Sequence, residues 1–312
     1  MSPYDTLVRS GRCLLLDGGT GSELRRRGVR LDPIAWSGPA ALACFDTLVD
    51  IHSDYIDAGA DVITTSTFAT TRFVLEAAGL GAEFAAINRA SVRAAMRARE
   101  RSGRSVLVAG SVSCFPPGFD AAAYPPPAEE RAAYAELANL LAAEGVDFLV
   151  LEMMEDDVHA ARACEAAHAT GLPFWIGVSA RRRTDGTLTA YDFPETPLDR
   201  VIDALVRFTP DVMNVMHTPP DDVAPALAVV RTRWTGPIGA YPEIEEPGTP
   251  ALTPAGLAAR AEEWLRAGVR VLGGCCGTEP RHVRALRALL DRHSASSGFQ
   301  PNVQSSTKKP TA

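Results

Sequence analysis

Short apolar runs bounded by Gly, Pro or Asp recur along the chain and alternate with alanine-rich segments. Most of the runs are continuously apolar, which is typical of parallel strands covered on both faces. Eight such runs occur: CLLLDGG (13–19), DVITTSTF (61–68), SVLVAGSV (105–112), DFLVLEMM (147–154), PFWIGVSA (173–180), DVMNVMH (211–217), GPIGAYPE (236–243) and VRVLGGCCG (269–277). The pattern therefore predicts eight buried strands.

The segments between these runs show a helical period. In TLVDIHSDYIDAGA, Leu48, Ile51 and Tyr55 lie on one stripe, and the segment closes on Gly59, a helix stop signal. The segments predicted to be helical in this way are 47–60, 127–145, 253–268 and 280–293. Strict alternation of strands and helices predicts a single α/β domain, a (β/α)8 TIM barrel over residues 1–293.

An open doubly wound sheet is the structural alternative. It normally has fewer strands and a glycine-rich phosphate turn, and the sequence contains no G-x-G-x-x-G or Walker pattern. Two segments lack any period. The proline-rich segment 113–127 predicts a long loop after the third strand, and the polar segment 294–312 predicts a disordered tail.

Composition and charge narrow the classes of function. A formal charge of −7 and a pI near 5.5 argue against a nucleic-acid surface. No apolar stretch approaches the roughly 20 residues of a membrane span, and the first residues do not form a secretory signal. We therefore expect a cytoplasmic protein without a membrane or nucleic-acid partner, whose six cysteines are reduced thiols or metal ligands. The sequence leaves open whether the protein forms a homo-oligomer.

The polar residues that end the apolar runs are the candidate site residues, because active sites of such barrels lie at the C-terminal ends of the strands. Each has a simpler explanation when taken alone, such as a turn, a helix cap or a hydrogen-bonded histidine. Their convergence on one face of one barrel favours function. These candidates are Asp17, Gly18, Gly19, Thr67, Phe68, Glu152, Asn214, His217, Cys275 and Cys276.

The adjacent cysteines Cys275 and Cys276 carry the sharpest signal. Neighbouring residues on a regular strand point to opposite faces, so both thiols reach one centre only if the backbone is irregular. The glycines at 273, 274 and 277 permit such a backbone. Two thiolates facing one point need a cation between them, and zinc is the usual cation for such ligands.

Four stretches together resemble the homocysteine S-methyltransferase family: LLLDGGTGSELRRRG (14–28), ADVITTSTFAT (60–70), LEMM (151–154) and GGCCGTEPRHVRAL (273–286). The resemblance covers about residues 11–290. It implies a zinc-dependent thiol methyltransferase acting in methionine biosynthesis. In this family three cysteines hold zinc, and homocysteine supplies the remaining ligand.

The resemblance also implies roles for individual residues. Cys275 and Cys276 match two of the three zinc ligands. Asp17 and Glu152 match the acidic positions that receive the amino group of homocysteine at the catalytic centre. The implied substrate contacts further include Gly18, Gly19, Thr67, Phe68 and Asn214.

The third cysteine of the family pattern is missing. It follows an asparagine at the end of strand six, where this chain has Val215 after Asn214. His217 lies two residues further on, on the same side of a regular strand and roughly 6 to 7 Å along it. We expect His217 to complete a Cys2His zinc site with one open position. The alternative is a histidine that only lines the pocket.

The loop after strand three also departs from the family pattern, which has a tyrosine- and glycine-bearing segment on the donor side. Here the chain reads Ser113-Cys114-Phe115-Pro116-Pro117, and Tyr124 is a candidate for the tyrosine. Small onium donors such as betaine, S-methylmethionine and S-adenosylmethionine fit a small pocket. Methyltetrahydrofolate and cobalamin would need further domains.

The leading hypothesis is therefore transfer of a methyl group from a small onium-type or S-adenosylmethionine-like donor to homocysteine or a related thiol. Zinc activates the thiol, since a free thiol with a pKa near 8.5 is mostly protonated at neutral pH. The rival hypothesis is a divergent family member without catalytic zinc that binds or processes another small amino-acid-like substrate.

Overall fold

The computed structural model of the protein describes residues 2–8, 10–114, 123–245 and 251–296. All eight predicted runs form strands, and two short strands follow the fifth. The strands are β1 (Leu14–Leu15), β2 (Val62–Thr64), β3 (Leu107–Ser113), β4 (Phe148–Glu152), β5 (Phe174–Val178), β6 (Ala180–Arg182), β7 (Leu188–Ala190), β8 (Val212–Met216), β9 (Ile238–Tyr241) and β10 (Val271–Leu272).

Eight of these strands form one parallel sheet in the order β1-β10-β9-β8-β5-β4-β3-β2. The two ends of the sheet meet, because Leu16 forms a parallel bridge with Val62. The Asp17 amide donates to the Val62 carbonyl at 3.0 Å, and the Asp61 amide donates to the Leu15 carbonyl at 2.7 Å. The sheet is thus a nearly closed barrel. The predicted (β/α)8 fold is confirmed, and the open doubly wound alternative is wrong.

Helices surround the strands, and the first of them lies at one end of the barrel. They are α1 (Pro3–Val8), α2 (Thr20–Arg26), α3 (Ala40–Ala43), α4 (Phe45–Asp57), α5 (Arg72–Ala77), α6 (Phe84–Ser102), α7 (Pro127–Ala143), α8 (His159–Ala169), α9 (Leu198–Leu205), α10 (Pro220–Arg231), α11 (Pro254–Arg266) and α12 (Pro280–Ser296). The four predicted helical segments correspond to α4, α7, α11 and α12. Since α12 ends at Ser296, it includes the first three residues of the predicted tail, and 297–312 lie outside the described residues. Most of the predicted loop 113–127 also lies outside them, at 115–122.

Apolar side chains form two buried layers, one inside the barrel and one between the strands and the outer helices. The lower end of the barrel is closed by α1. There the Trp175 indole N–H donates to the Tyr4 hydroxyl at 2.8 Å, and the Tyr4 ring lies 5.3 Å from the Phe148 ring. The open mouth is therefore at the C-terminal ends of the strands. No described helix is long and apolar enough to span a membrane.

The strands β6 and β7 form an antiparallel hairpin outside the barrel sheet. The hairpin is fixed to α10, because the Arg182 amide and guanidinium donate to the Asp222 carboxylate at 3.0 and 2.8 Å. The residues after it run back toward the mouth, where the Asp192 amide donates to the buried Glu155 carboxylate at 2.8 Å. The hairpin thus adds a second layer beside the open end of the barrel.

Candidate active site

A pocket of about 570 Å³ opens at the C-terminal ends of the barrel strands. One part of its wall is apolar and the other part carries acidic and thiol groups. The apolar part consists of Leu16, Trp36, Phe68, Met153, Met216 and Tyr241. The ionisable side chains in the wall are Asp17, Arg25, Glu152, His217, Glu243, Glu245, Cys275 and Cys276.

The two cysteines lie on a turn that leaves the barrel immediately after β10. The Cys275 amide donates to the Pro242 carbonyl at 2.9 Å, and the Cys276 carbonyl accepts from the Ile244 amide at 2.9 Å. Gly277 has φ +78°, and a Cβ at Gly274 would lie 2.1 Å from the Thr278 hydroxyl oxygen. Glycine is therefore strongly favoured at both positions. The irregular backbone predicted from the glycines is present.

His217 reaches the cysteines by a route that differs from the predicted one. Val215 packs in the layer between the barrel and the helices, whereas Met216 points into the barrel. Continued strand alternation would turn His217 outward with Val215. Instead, His217 follows the end of β8 with φ +42°, in the left-handed region, which redirects its side chain into the pocket.

The side chains of His217, Cys275 and Cys276 form one cluster, with their donor atoms all within 4.8 Å of one another. Cys275 Sγ lies 3.6 Å from His217 Nδ1 and 3.9 Å from Cys276 Sγ. Within the described parts of the chain, this is the only group of three His, Cys, Asp or Glu side chains that could hold a metal ion.

The charges of the cluster are strongly coupled. The hydrogen bond from Cys275 and the neighbouring His217 hold the pKa of the Cys276 thiol well below its usual range. Burial opposes protonation of His217, but its interactions with Cys276 and with the nearby carboxylates raise the pKa of the imidazole to about 9. Without a metal, the cluster therefore favours a thiolate on Cys276 beside an imidazolium.

Asp17 follows β1 and is buried in the pocket floor, with 2% of its surface exposed. Its carboxylate accepts from the Thr64 amide at 2.8 Å and from the Thr64 hydroxyl at 3.1 Å. Burial outweighs these hydrogen bonds and, with the charge of Glu152, raises the pKa of Asp17 to about 8.

Glu152 ends β4 and faces the same pocket. One of its carboxylate oxygens accepts from the Ser111 hydroxyl. Burial and the negative charge of Cys276 raise the pKa of Glu152 to about 7, although the Ser111 hydrogen bond opposes the shift. A cationic ligand would stabilise the ionised form of both carboxyls, so the pocket is suited to bind a cation.

The remaining predicted site residues divide into two groups. Gly18, Gly19 and Phe68 line the pocket. The two glycines also allow close packing, because a Cβ at Gly19 would lie 2.7 Å from the Cys275 carbonyl oxygen. Thr67 and Asn214 are not in the described pocket wall. Thr67 donates to the Ser111 carbonyl at 2.7 Å, and Asn214 donates to the Ile176 carbonyl at 3.4 Å, both in the buried interior.

The sequence-based candidate for the donor side is not at the pocket. Tyr124 packs against Phe73 and His159, with ring centroids 5.4 and 3.9 Å apart, and its hydroxyl donates to the Cys114 carbonyl. Tyr124 thus lies outside the described pocket wall, and its assignment to the donor side stays a prediction. Loop residues 115–122 lie outside the described residues.

Several wall residues escaped prediction. Trp36 and Met153, like His217, line the pocket with positive φ values, of 51° and 55°. Backbone strain of this kind concentrates at functional sites but leaves no sequence signal. Glu243 and Tyr241 lie at the end of β9, within a run that the sequence marked as a strand. Their position at the end of a predicted strand is the sequence feature that could have identified them as site residues.

The fold and the pocket together define a class of protein: a (β/α)8 enzyme whose pocket contains two buried carboxyls and a Cys-Cys-His cluster. The family model for homocysteine S-methyltransferase matches residues 14–290. The chain belongs to the homocysteine S-methyltransferase family and is an S-methyltransferase.

Individual relatives are similar over nearly their whole length. Homocysteine S-methyltransferase 4 of Zea mays is 27% identical over 309 residues, covering 89% of each chain. Selenocysteine methyltransferase of Astragalus bisulcatus is 23% identical and covers 95% of this chain and 96% of its own. The metallated crystal form of the homocysteine methyltransferase MmuM from Escherichia coli has a TM-score of 0.75 at 25% identity, covering 92% of this chain and 99% of its own.

Proposed function

We propose that this protein transfers a methyl group from a small onium donor to the sulfur of homocysteine or a closely related thiol or selenol. The observation that carries the proposal is the convergence of Cys275, Cys276 and His217 with the buried carboxyls of Asp17 and Glu152 in one pocket. The relatives named for homocysteine and selenocysteine methylation support this acceptor class.

The Cys-Cys-His cluster fits a zinc ion. Zn–S and Zn–N bonds of about 2.3 and 2.0 Å in a tetrahedron give ligand-to-ligand distances of roughly 3.5 Å between sulfur and nitrogen and roughly 3.8 Å between the two sulfurs. The observed separations from Cys275 Sγ, 3.6 Å to His217 Nδ1 and 3.9 Å to Cys276 Sγ, are close to this range. Three protein ligands also leave one position open, as in catalytic zinc sites. We propose that His217 takes the place of the missing strand-six cysteine.

A zinc ion bound here would lower the pKa of an acceptor thiol and hold its sulfur as a thiolate at neutral pH. The protein positions the rest of the acceptor. Asp17 and Glu152 would bind its ammonium group, and each carboxyl would then give up its proton because the bound cation stabilises the ionised form.

The apolar part of the wall would hold the donor. Trp36, Phe68 and Tyr241 can contact a cationic methyl-bearing centre through their ring faces, and Met153 and Met216 exclude water around it. The new bond joins the methyl carbon to the acceptor sulfur, and the bond from that carbon to the onium atom breaks. The onium atom keeps the electron pair and becomes neutral, and the acceptor thiol proton passes to solvent.

The first test is the metal content of the purified protein without added metal, measured in parallel for His217→Ala. The proposal expects about one zinc per chain in the parent protein and a clear loss in the variant. Labelled S-methylmethionine, S-adenosylmethionine and betaine should then be compared as donors to homocysteine before and after chelation. If neither protein contains zinc and a chelator does not change acceptor binding, the results would instead favour the rival hypothesis of a family member that binds a small substrate without zinc.

A further inference from the structure

A row of polar side chains leads from the β6–β7 hairpin to the imidazole of His217. The Arg181 guanidinium donates to the Tyr191 hydroxyl and lies 4.1 Å above the Tyr191 ring. The Tyr191 hydroxyl donates to Glu243 Oε1 at 2.5 Å. Glu243 Oε2 in turn lies 3.6 Å from His217 Nε2, at ion-pair distance. We call Arg181, Tyr191 and Glu243 the outer row.

The two nitrogens of His217 face different groups. Nδ1 is the nitrogen that lies 3.6 Å from Cys275 Sγ, whereas Nε2 is directed toward Glu243. The Tyr191 ring packs beside the imidazole with a centroid separation of 4.7 Å, which limits rotation of the ring. An imidazole that binds a metal through one nitrogen normally donates its other N–H to a carboxylate or carbonyl, and that partner fixes the tautomer.

We infer that Glu243 and Tyr191 are positioning residues that hold His217 with its proton on Nε2 and the Nδ1 lone pair facing the two thiols. The inference rests on the proposed metal site. Glu243 attracts the Nε2 proton. Tyr191 occupies the other carboxylate oxygen and keeps Glu243 in place. With only 4% of its surface exposed, Glu243 has little access to solvent and depends on these partners.

The outer row also gives the hairpin a function. The hairpin is an addition to the barrel, and hydrogen bonds besides those of the Arg182–Asp222 pair hold it. The Ala180 amide donates to the Thr218 hydroxyl at 2.9 Å, and the Tyr191 amide donates to the Ser179 carbonyl at 3.2 Å. The first bond ties the start of the hairpin to the residue after His217, and the second joins the two ends of the hairpin to each other. The addition therefore supports the one metal ligand that is not a cysteine.

The direct test observes the parent protein, and a substitution serves only to assign its signals. The zinc-loaded full chain is labelled with ¹⁵N-histidine, and the ring nitrogens are observed by long-range ¹H–¹⁵N correlation, with His217→Ala identifying the His217 signals. The inference expects a metal-bound Nδ1 and a proton on Nε2 that exchanges slowly with solvent. A metal-bound Nε2 would overturn it.

Zinc affinity, measured by competition with a chromophoric chelator, gives an independent result. Glu243→Ala should weaken binding by about 10- to 100-fold, which is the usual effect of removing such a partner. Glu243→Gln retains an acceptor oxygen and should recover part of the loss, and Tyr191→Phe should have a smaller effect of the same sign. Glu262→Ala, on the exposed face of α11, is the matched control and should bind zinc like the parent.

The outcomes separate the two proposals. If His217→Ala weakens zinc binding and Glu243→Ala does not, the outer row has no positioning role and the metal site stands. If His217→Ala binds zinc as tightly as the parent, the Cys2His assignment itself fails. If Glu243→Ala weakens binding and Glu243→Gln recovers nothing, a structural defect accounts for the loss and the inference is rejected.

Discussion

Replacing Asp17 by asparagine removes a carboxyl group from the buried pocket floor and keeps the size and shape of the side chain. The Thr64 amide can still donate to the amide oxygen, and the new amide nitrogen can donate to the Thr64 hydroxyl. The substitution therefore isolates the energetic effect of one ionisable group. We expect Asp17→Asn to stabilise the fold and to abolish methyl transfer, because the acceptor ammonium loses a carboxylate partner.

The size of the effect follows from the pKa of Asp17, which burial raises from 3.8 to about 8. The folded protein holds this proton over a pH range in which the unfolded chain has lost it, so the free energy of unfolding falls as pH rises from about 4 to 8. Three pH units at roughly 1.4 kcal/mol each amount to about 4 kcal/mol at pH 7. Asparagine does not titrate and avoids this loss.

The assay is urea unfolding of the metal-free protein between pH 5 and pH 9, followed by tryptophan fluorescence. The stability gained by Asp17→Asn should grow with pH and level off above pH 8. Asp50→Asn is the control, since Asp50 is exposed on α4 and its replacement leaves the pocket unchanged. A gain in stability that is independent of pH, or a loss of stability at every pH, would refute the conclusion that burial of the Asp17 carboxyl lowers the free energy of unfolding at neutral pH.

Two further outcomes follow from the pocket. Because Asp17 and Glu152 must be ionised to hold an ammonium group, homocysteine should bind at least about tenfold more weakly at pH 6 than at pH 8 and release protons on binding, as measured by calorimetry in two buffers. A thiol without the amino group, titrated alongside, should show the smaller pH dependence. Gly274→Ala should cost about 1 to 3 kcal/mol of stability and lower zinc affinity, because its Cβ would lie 2.1 Å from Thr278 Oγ1; unchanged zinc affinity in a folded variant would contradict this.

The barrel could be predicted because its strands are buried on both faces. Such a strand needs apolar residues at successive positions, so each one appears in the sequence as a continuous apolar run. The hairpin could not, because the segments Ala180–Arg182 and Leu188–Ala190 are short and contain no such run. Their place is fixed by contacts with distant residues such as Asp222. Helix α1 escaped for a similar reason, since its six residues are anchored mainly by Tyr4.

The site was only partly predictable. The glycines around Cys275 and Cys276 made the turn foreseeable, since few other residues allow its path. His217 was selected by strand parity, yet Val215 faces the helices and only a left-handed backbone at His217 brings the imidazole inward. Such a conformation depends on tertiary contacts. The proximity of Glu243 to His217 results from the tertiary structure and could not be predicted from the sequence.

The closure of the lower barrel end by α1 determines where a tag can be added and how far the N-terminal segment can be shortened. Tyr4 is 4% exposed and lies at the face opposite the pocket, so residues added before Pro3 leave the molecule away from the substrate entrance. A surface that captures the protein through such an added tag would orient the pocket toward the solution. Trimming the chain beyond Tyr4 would instead open the apolar interior around Phe148 and Trp175 to water and favour aggregation.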